Sequence, residues 1–108
     1  MVGRYVKMTA RAGQGDVLAQ LMLEVARSLH GTDGCIIYAI NRTDVADDAD
    51  VIWVTELWRD QEAIDASLAV LQTDAGKARL GEVMALLDGP PERIDLQPLG
   101  GVGLPDVR

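Results

Sequence analysis

Val51-Ile52-Trp53-Val54-Thr55-Glu56-Leu57-Trp58-Arg59 is the stretch that decides how this chain folds. Read as a strand, it places Val51, Trp53, Thr55 and Leu57 on one face and Ile52, Val54, Glu56 and Trp58 on the other. Both faces are greasy. The same holds for Cys35 to Arg42, whose faces are Cys35, Ile37, Ala39, Asn41 and Ile36, Tyr38, Ile40, Arg42. The polar, acidic segment Thr43 to Asp50 joins the two strands as a long hairpin loop.

Working outward, Arg4 to Arg11 reads as a first strand, with Tyr5, Val6 and Met8 as its apolar content. Asp16 to His30 reads as an amphipathic helix, because Leu18, Leu21, Met22, Val25 and Leu29 recur at three- and four-residue spacing. Asp16 is the expected N-cap, and Gly31 suits the left-handed position after the last turn. Asp60 to Val70 reads as a short helix capped by Asp60, with Glu62 favoured in its first turn. A third helix is expected over Asp74 to Leu87, with Ala75, Ala78, Val83, Met84 and Leu87 inward and Gly89-Pro90-Pro91 as its stop. Glu92 to Leu99 completes the set as a last strand with Ile94 and Leu96 on its apolar side.

The order β-α-β-β-α-α-β predicts an α+β, ferredoxin-like fold with a four-stranded antiparallel sheet and helices on one face. Residues 1–99 form the expected domain and 100–108 an irregular tail. Helices of one chain cover one face of a sheet only. The apolar residues on the other face therefore predict a homodimer packed sheet to sheet, the alternative being cover by the chain's own tail or loops.

The chain has 108 residues, a size suited to one domain, and is 48% hydrophobic, which suits a packed core. Its formal net charge of −7 repels nucleic-acid backbones and anionic lipid, so neither partner is expected. Met1 to Met8 lacks the apolar core of a signal peptide, and no stretch is apolar for long enough to span a bilayer. With Cys35 as the one cysteine, no internal disulfide forms. A cytoplasmic location is expected. Phe is absent, so an aromatic-lined pocket must draw on Tyr5, Tyr38, Trp53 and Trp58.

Glu56 and Trp58 share a face with Ile52 and Val54. A carboxylate among such neighbours is desolvated and becomes a usable base, and Trp58 would supply a pocket wall. The competing reading makes Glu56 an ion-pair partner of an arginine and Trp58 a core residue. His30, the sole histidine, suits the end of the first helix, where a cation complements the helix dipole, and one histidine cannot build a multi-His metal site. Asp44, Asp47, Asp48 and Asp50 crowd one loop but lack the glycine and closing glutamate of a calcium-binding EF-hand loop. Gly13-Gln14-Gly15 lacks the third glycine of a dinucleotide fingerprint, and Gly100-Gly101-Val102-Gly103 lacks the lysine of a phosphate loop. Cys35 reads as packing, and Ser67 has no base placed to activate it.

Glu56-Leu57-Trp58-Arg59-Asp60-Gln61-Glu62-Ala63 resembles the strand-to-helix signature of the antibiotic biosynthesis monooxygenase family. Gly34-Cys35-Ile36-Ile37-Tyr38 resembles that family's second strand, and Leu96-Gln97-Pro98-Leu99-Gly100 its last. The resemblance spans nearly the whole domain. It implies a dimeric α+β barrel. Some members oxidise phenols or quinols with O₂ and neither metal nor flavin, related branches bind haem, and many have no known activity. The chain differs from the pattern at Ser67, where many relatives carry a histidine, at Leu71 and Gln72, where a second often follows, and at Val54, where the cofactor-free oxygenases carry an asparagine. For such an oxygenation this chain offers Glu56 as base, Trp58 as wall, and Asn41 or Arg79 as donor to developing negative charge. Arg79 enters because some relatives place an arginine at a similar point of the last helix. Trp58, Tyr38, Val54 and Ser67 are the implied contacts of a small aromatic substrate, with no cofactor and no metal. The alternative is a non-catalytic dimeric module that binds a small ligand, with haem a weaker option because Ser67 cannot serve as an axial ligand.

Overall fold

The computed structural model describes residues 1–104. Its elements are β1 (Val2–Thr9), α1 (Gly15–Ser28), β2 (Cys35–Asn41), β3 (Val51–Trp58), α2 (Gln61–Val70), α3 (Asp74–Leu86) and β4 (Glu92–Leu96), with a short 3₁₀ turn, Ala46–Asp48, in the hairpin loop. The strands form one open antiparallel sheet in the order β2-β3-β1-β4. This is the expected ferredoxin-like α+β fold, with β3 at an inner position, as its two apolar faces require. Of the tail expected to be irregular, residues 100–104 form no helix or strand, and 105–108 lie outside the described residues.

The helices lie on the face of Ile52, Val54, Glu56 and Trp58. Leu18 and Met22 of α1 pack with Met8, Ile52 and Val54 in the main core, and Ala63 and Ile64 of α2 pack with Trp58 in a second cluster. Burying each large aliphatic side chain contributes roughly 1.5–3 kcal/mol.

Several boundaries and caps differ from expectation. β1 starts at Val2, two residues early, because it pairs along β3 as far as Trp58, and the chain leaves the sheet at Ala10, which bridges to Leu87. β4 ends at Leu96, just before Pro98, a residue with no N–H to donate to a ladder. Asp16 does not cap α1. Gln14 occupies the cap position without a side-chain bond, and the backbone N–H groups of Gly13 and Gly15 donate instead to Asp50 at 3.0 and 2.9 Å. Asp16 sits in the first turn and pairs with Arg42 at 2.9 Å. Asp60 does cap α2, accepting from the Ala63 N–H at 2.8 Å.

α3 buries less than its sequence suggests. Val83 and Leu87 are buried, whereas Ala75, Ala78 and Met84 are exposed, because this helix stands off the sheet across a cavity. β2 carries a bulge between Cys35 and Ile37. The extra residue turns Cys35 onto the helix side, opposite Trp58, away from the face it would otherwise share with Ile37. At the entry to β2, Gly34 has φ +83° and presses against α2, where a Cβ would collide with that of Ala63.

Among the described residues no helix packs on the other face of the sheet. Tyr5 and Trp53 stack there in a tilted pair 5.2 Å apart, with the Lys7 ammonium 5.5 Å from the Trp53 ring. Ile94 and Leu96 belong to that face by register and are exposed. Among the described residues Pro98 approaches this face, 3.5 Å from where a Cβ on Gly3 would stand.

Candidate active site

Glu56 lies two residues before Trp58 on β3, so the two side chains leave the same face of the strand. The Trp58 indole Nε1–H donates to Glu56 Oε1 at 3.0 Å. The indole is thereby anchored in the second core cluster, with Trp58 only 2% exposed. It holds one carboxylate oxygen in place, and the other has no hydrogen-bond partner among the described residues. Register sets Tyr38 of β2 opposite Glu56 on one side and Arg4 of β1 on the other.

Over this part of the sheet lies a cavity of about 530 Å³, of the size that takes a small organic ligand. Val6, Met8, Val54, Tyr38 and Glu56 form its floor. Met22 and Val25 of α1 form one wall, Ser67 of α2 stands at another, and Arg79, Leu80 and Val83 of α3 line the side away from the sheet, leaving the cavity open to solvent. The hydroxyl groups along it are largely committed to backbone carbonyls of α1 and α2. Ser28 donates to the Val25 carbonyl at 2.6 Å, Ser67 to Ile64 at 2.7 Å, and Thr73 to Val70 at 2.7 Å. Glu56, Tyr38 and Arg79 therefore carry the polar chemistry of an otherwise apolar space.

Burial, and then the nearby Glu56 charge, push the Tyr38 phenol well above its usual value of 10. The same two causes, in the same order, raise the Cys35 thiol. At neutral pH Tyr38 is a protonated donor beside an acceptor, a pairing that can take a proton from a ligand while donating a hydrogen bond to it.

Of the residues singled out from sequence, Glu56, Tyr38, Val54, Ser67 and Arg79 come together around the one cavity. Trp58 does not line it, and its place is behind Glu56. Asn41 lies on the opposite face of the sheet, opposite Trp53, where its amide donates to the Trp53 carbonyl and the Thr55 hydroxyl at 3.2 Å each, so it does not donate into the cavity. The contributions of Met22 and Val25 to the wall went unassigned in sequence, although their place on the apolar stripe of α1 was the signal that pointed to it. Glu24, whose Oε2 lies 4.0 Å from Arg79 Nη2, left no signal. The loop acid Asp50 serves as the α1 cap.

Sheet, helices and cavity define a ferredoxin-like α+β protein with room for a ligand between an antiparallel sheet and its covering helices. The chain belongs to the antibiotic biosynthesis monooxygenase family, whose sequence profile matches residues 1–76. A candidate antibiotic biosynthesis monooxygenase from Chloroflexus aurantiacus is 30% identical, with a TM-score of 0.73 over 93% of this chain and 94% of that one. A candidate monooxygenase of the same name from Caulobacter crescentus (19% identity, TM-score 0.77, 92% and 90% covered) shares the fold. So does Rv0793 from Mycobacterium tuberculosis (21% identity, TM-score 0.75, 94% and 97% covered). No curated protein matches significantly. Among the described residues no helix is long and apolar enough to cross a membrane.

Proposed function

We propose that this chain is a cofactor-independent monooxygenase that oxidises a small phenol or quinol with O₂. The observation that carries the reading is a carboxylate, Glu56, set in the floor of an apolar cavity with one oxygen held by Trp58 at 3.0 Å. The free oxygen accepts the substrate's phenolic proton. The phenolate gives an electron to O₂, and the resulting pair recombines at a ring carbon to form a carbon–oxygen bond. Breaking the O–O bond and losing the ring proton leaves one oxygen atom on a quinone and releases the other as water, so that the substrate supplies every electron. Tyr38, neutral and half-buried, donates to the oxygen on which negative charge collects. Val54 and Ser67 bound the ring, and Arg79 stands at the top of the space.

The experiment is oxygen uptake with a menadiol-type substrate. Glu56→Gln keeps the shape and removes the base, and its expected effect is a fall in turnover of about 10²- to 10⁴-fold. No uptake by the wild type, or uptake unchanged in Glu56→Gln, would overturn the reading.

The second reading is a non-catalytic module that binds an apolar ligand in the same cavity. The commitment of the Ser28, Ser67 and Thr73 hydroxyls to helix backbone favours it, since few groups are left free to react. It predicts a ligand-dependent rise in Tm without turnover. In either case the helix-free sheet face supports a homodimer formed through Tyr5 and Trp53.

A further inference from the structure

Arg79 is the one cationic side chain among the lining residues of the cavity, and its partner is poor. Nη2 stands 4.0 Å from Glu24 Oε2, beyond hydrogen-bond reach, and the two side chains are 41% and 50% exposed. A solvated pair of this kind contributes little and gives way to a better acceptor. Residue 79 also lies beyond the residues that the family profile matches. A half-exposed guanidinium is screened by water, which suits it poorly to a charge that appears only in a transition state and well to a fixed charge on a bound molecule. At the floor of the cavity Glu56 has the opposite sign. It repels an anion from that end and accepts from a hydroxyl, so the two charges together would orient a ligand that carries both groups.

We infer that the cavity takes an aromatic compound bearing a carboxylate as well as a hydroxyl, with the carboxylate on Arg79 and Glu24 displaced. The inference rests on the cavity being the ligand site. Planar, two-pronged recognition of a carboxylate is what a guanidinium does best. The protein's overall charge of −7 gives an anion no long-range attraction, so the preference has to come from this contact.

The test compares 6-hydroxy-2-naphthoate with 2-naphthol, which has the same ring and hydroxyl and no carboxylate, by titration calorimetry on the full chain. The wild type is expected to bind the hydroxynaphthoate about tenfold more tightly or better, as for a charge-assisted contact. Arg79→Gln should remove most of that preference, Arg79→Lys should retain part of it, and Glu24→Gln should widen it by freeing the arginine. Equal affinity for the two probes in the wild type, or a preference that survives in Arg79→Gln, overturns the anion subsite while naphthol binding leaves the cavity reading standing. Failure of both probes to bind overturns the cavity as a ligand site, and this inference with it.

Discussion

Tyr38 and Glu56 show how much a single pair of side chains can settle. Their register across β2 and β3 puts a protonated phenol beside a carboxylate, and the same proximity marks Tyr38 energetically. Its proton is held more tightly in the folded chain than in the unfolded one, where a tyrosine titrates near 10. Below that pH the phenol is protonated in both states and costs nothing. As pH rises past it, the unfolded chain sheds a proton that the folded chain keeps, so stability falls. Urea unfolding between pH 8 and about 11.5 should therefore show a falling limb that Tyr38→Phe flattens. An identical slope in both proteins would mean that the phenol is not held in the way described. The residue types and the i, i+2 spacing of Glu56 and Trp58 were legible in the chain. Whether Tyr38 or Asn41 of β2 shares their side was not, because strand alternation sorts residues into two faces without saying which faces of neighbouring strands coincide. Register decides that, and here a bulge near Cys35 intervenes.

Among the elements, α1 was the easiest to read and its cap the hardest. Its apolar stripe follows from a 3.6-residue period, a local property. Its N-terminus is satisfied by Asp50, a residue 35 positions beyond Gly15, and no local rule reaches so far. Asp50→Ala should remove both acceptors from the Gly13 and Gly15 N–H groups and cost about 1 kcal/mol, within the range measured for lost caps. Chemical denaturation would measure it, with Asp16→Ala as the comparison, since Asp16 accepts no cap bond and makes one exposed ion pair with Arg42. An equal loss in both variants would contradict the cap assignment. α3 taught the reverse lesson. Its apolar positions looked like core, yet Ala75 and Met84 border a cavity, because hydrophobicity marks surface that leaves water and is silent on whether protein or a ligand covers it.

For the whole molecule, the helix-free face of the sheet is the feature with the largest consequence. The Tyr5–Trp53 pair stands there beside exposed Ile94 and Leu96, and the Trp53 Nε1–H is buried without an acceptor among the described residues. A second copy would cover the apolar area and could supply that acceptor. Sedimentation equilibrium at micromolar concentration should find a dimer, and Trp53→Glu should weaken it about 30-fold or more, as loss of a central interface aromatic does. A monomeric wild type would remove this expectation. What the order of residues determined unaided was the α+β architecture, the strand-to-helix signature around Glu56 and the two-sided greasiness of β2 and β3. These follow from periodicity and local turn chemistry, which are written along the chain. Only the tertiary structure decided that Asn41 faces away from the cavity, that Trp58 stands behind Glu56 and not in the wall, and that Asp50 caps α1. Each depends on contacts between residues distant in sequence, and such contacts are set by register and packing, which no local window contains.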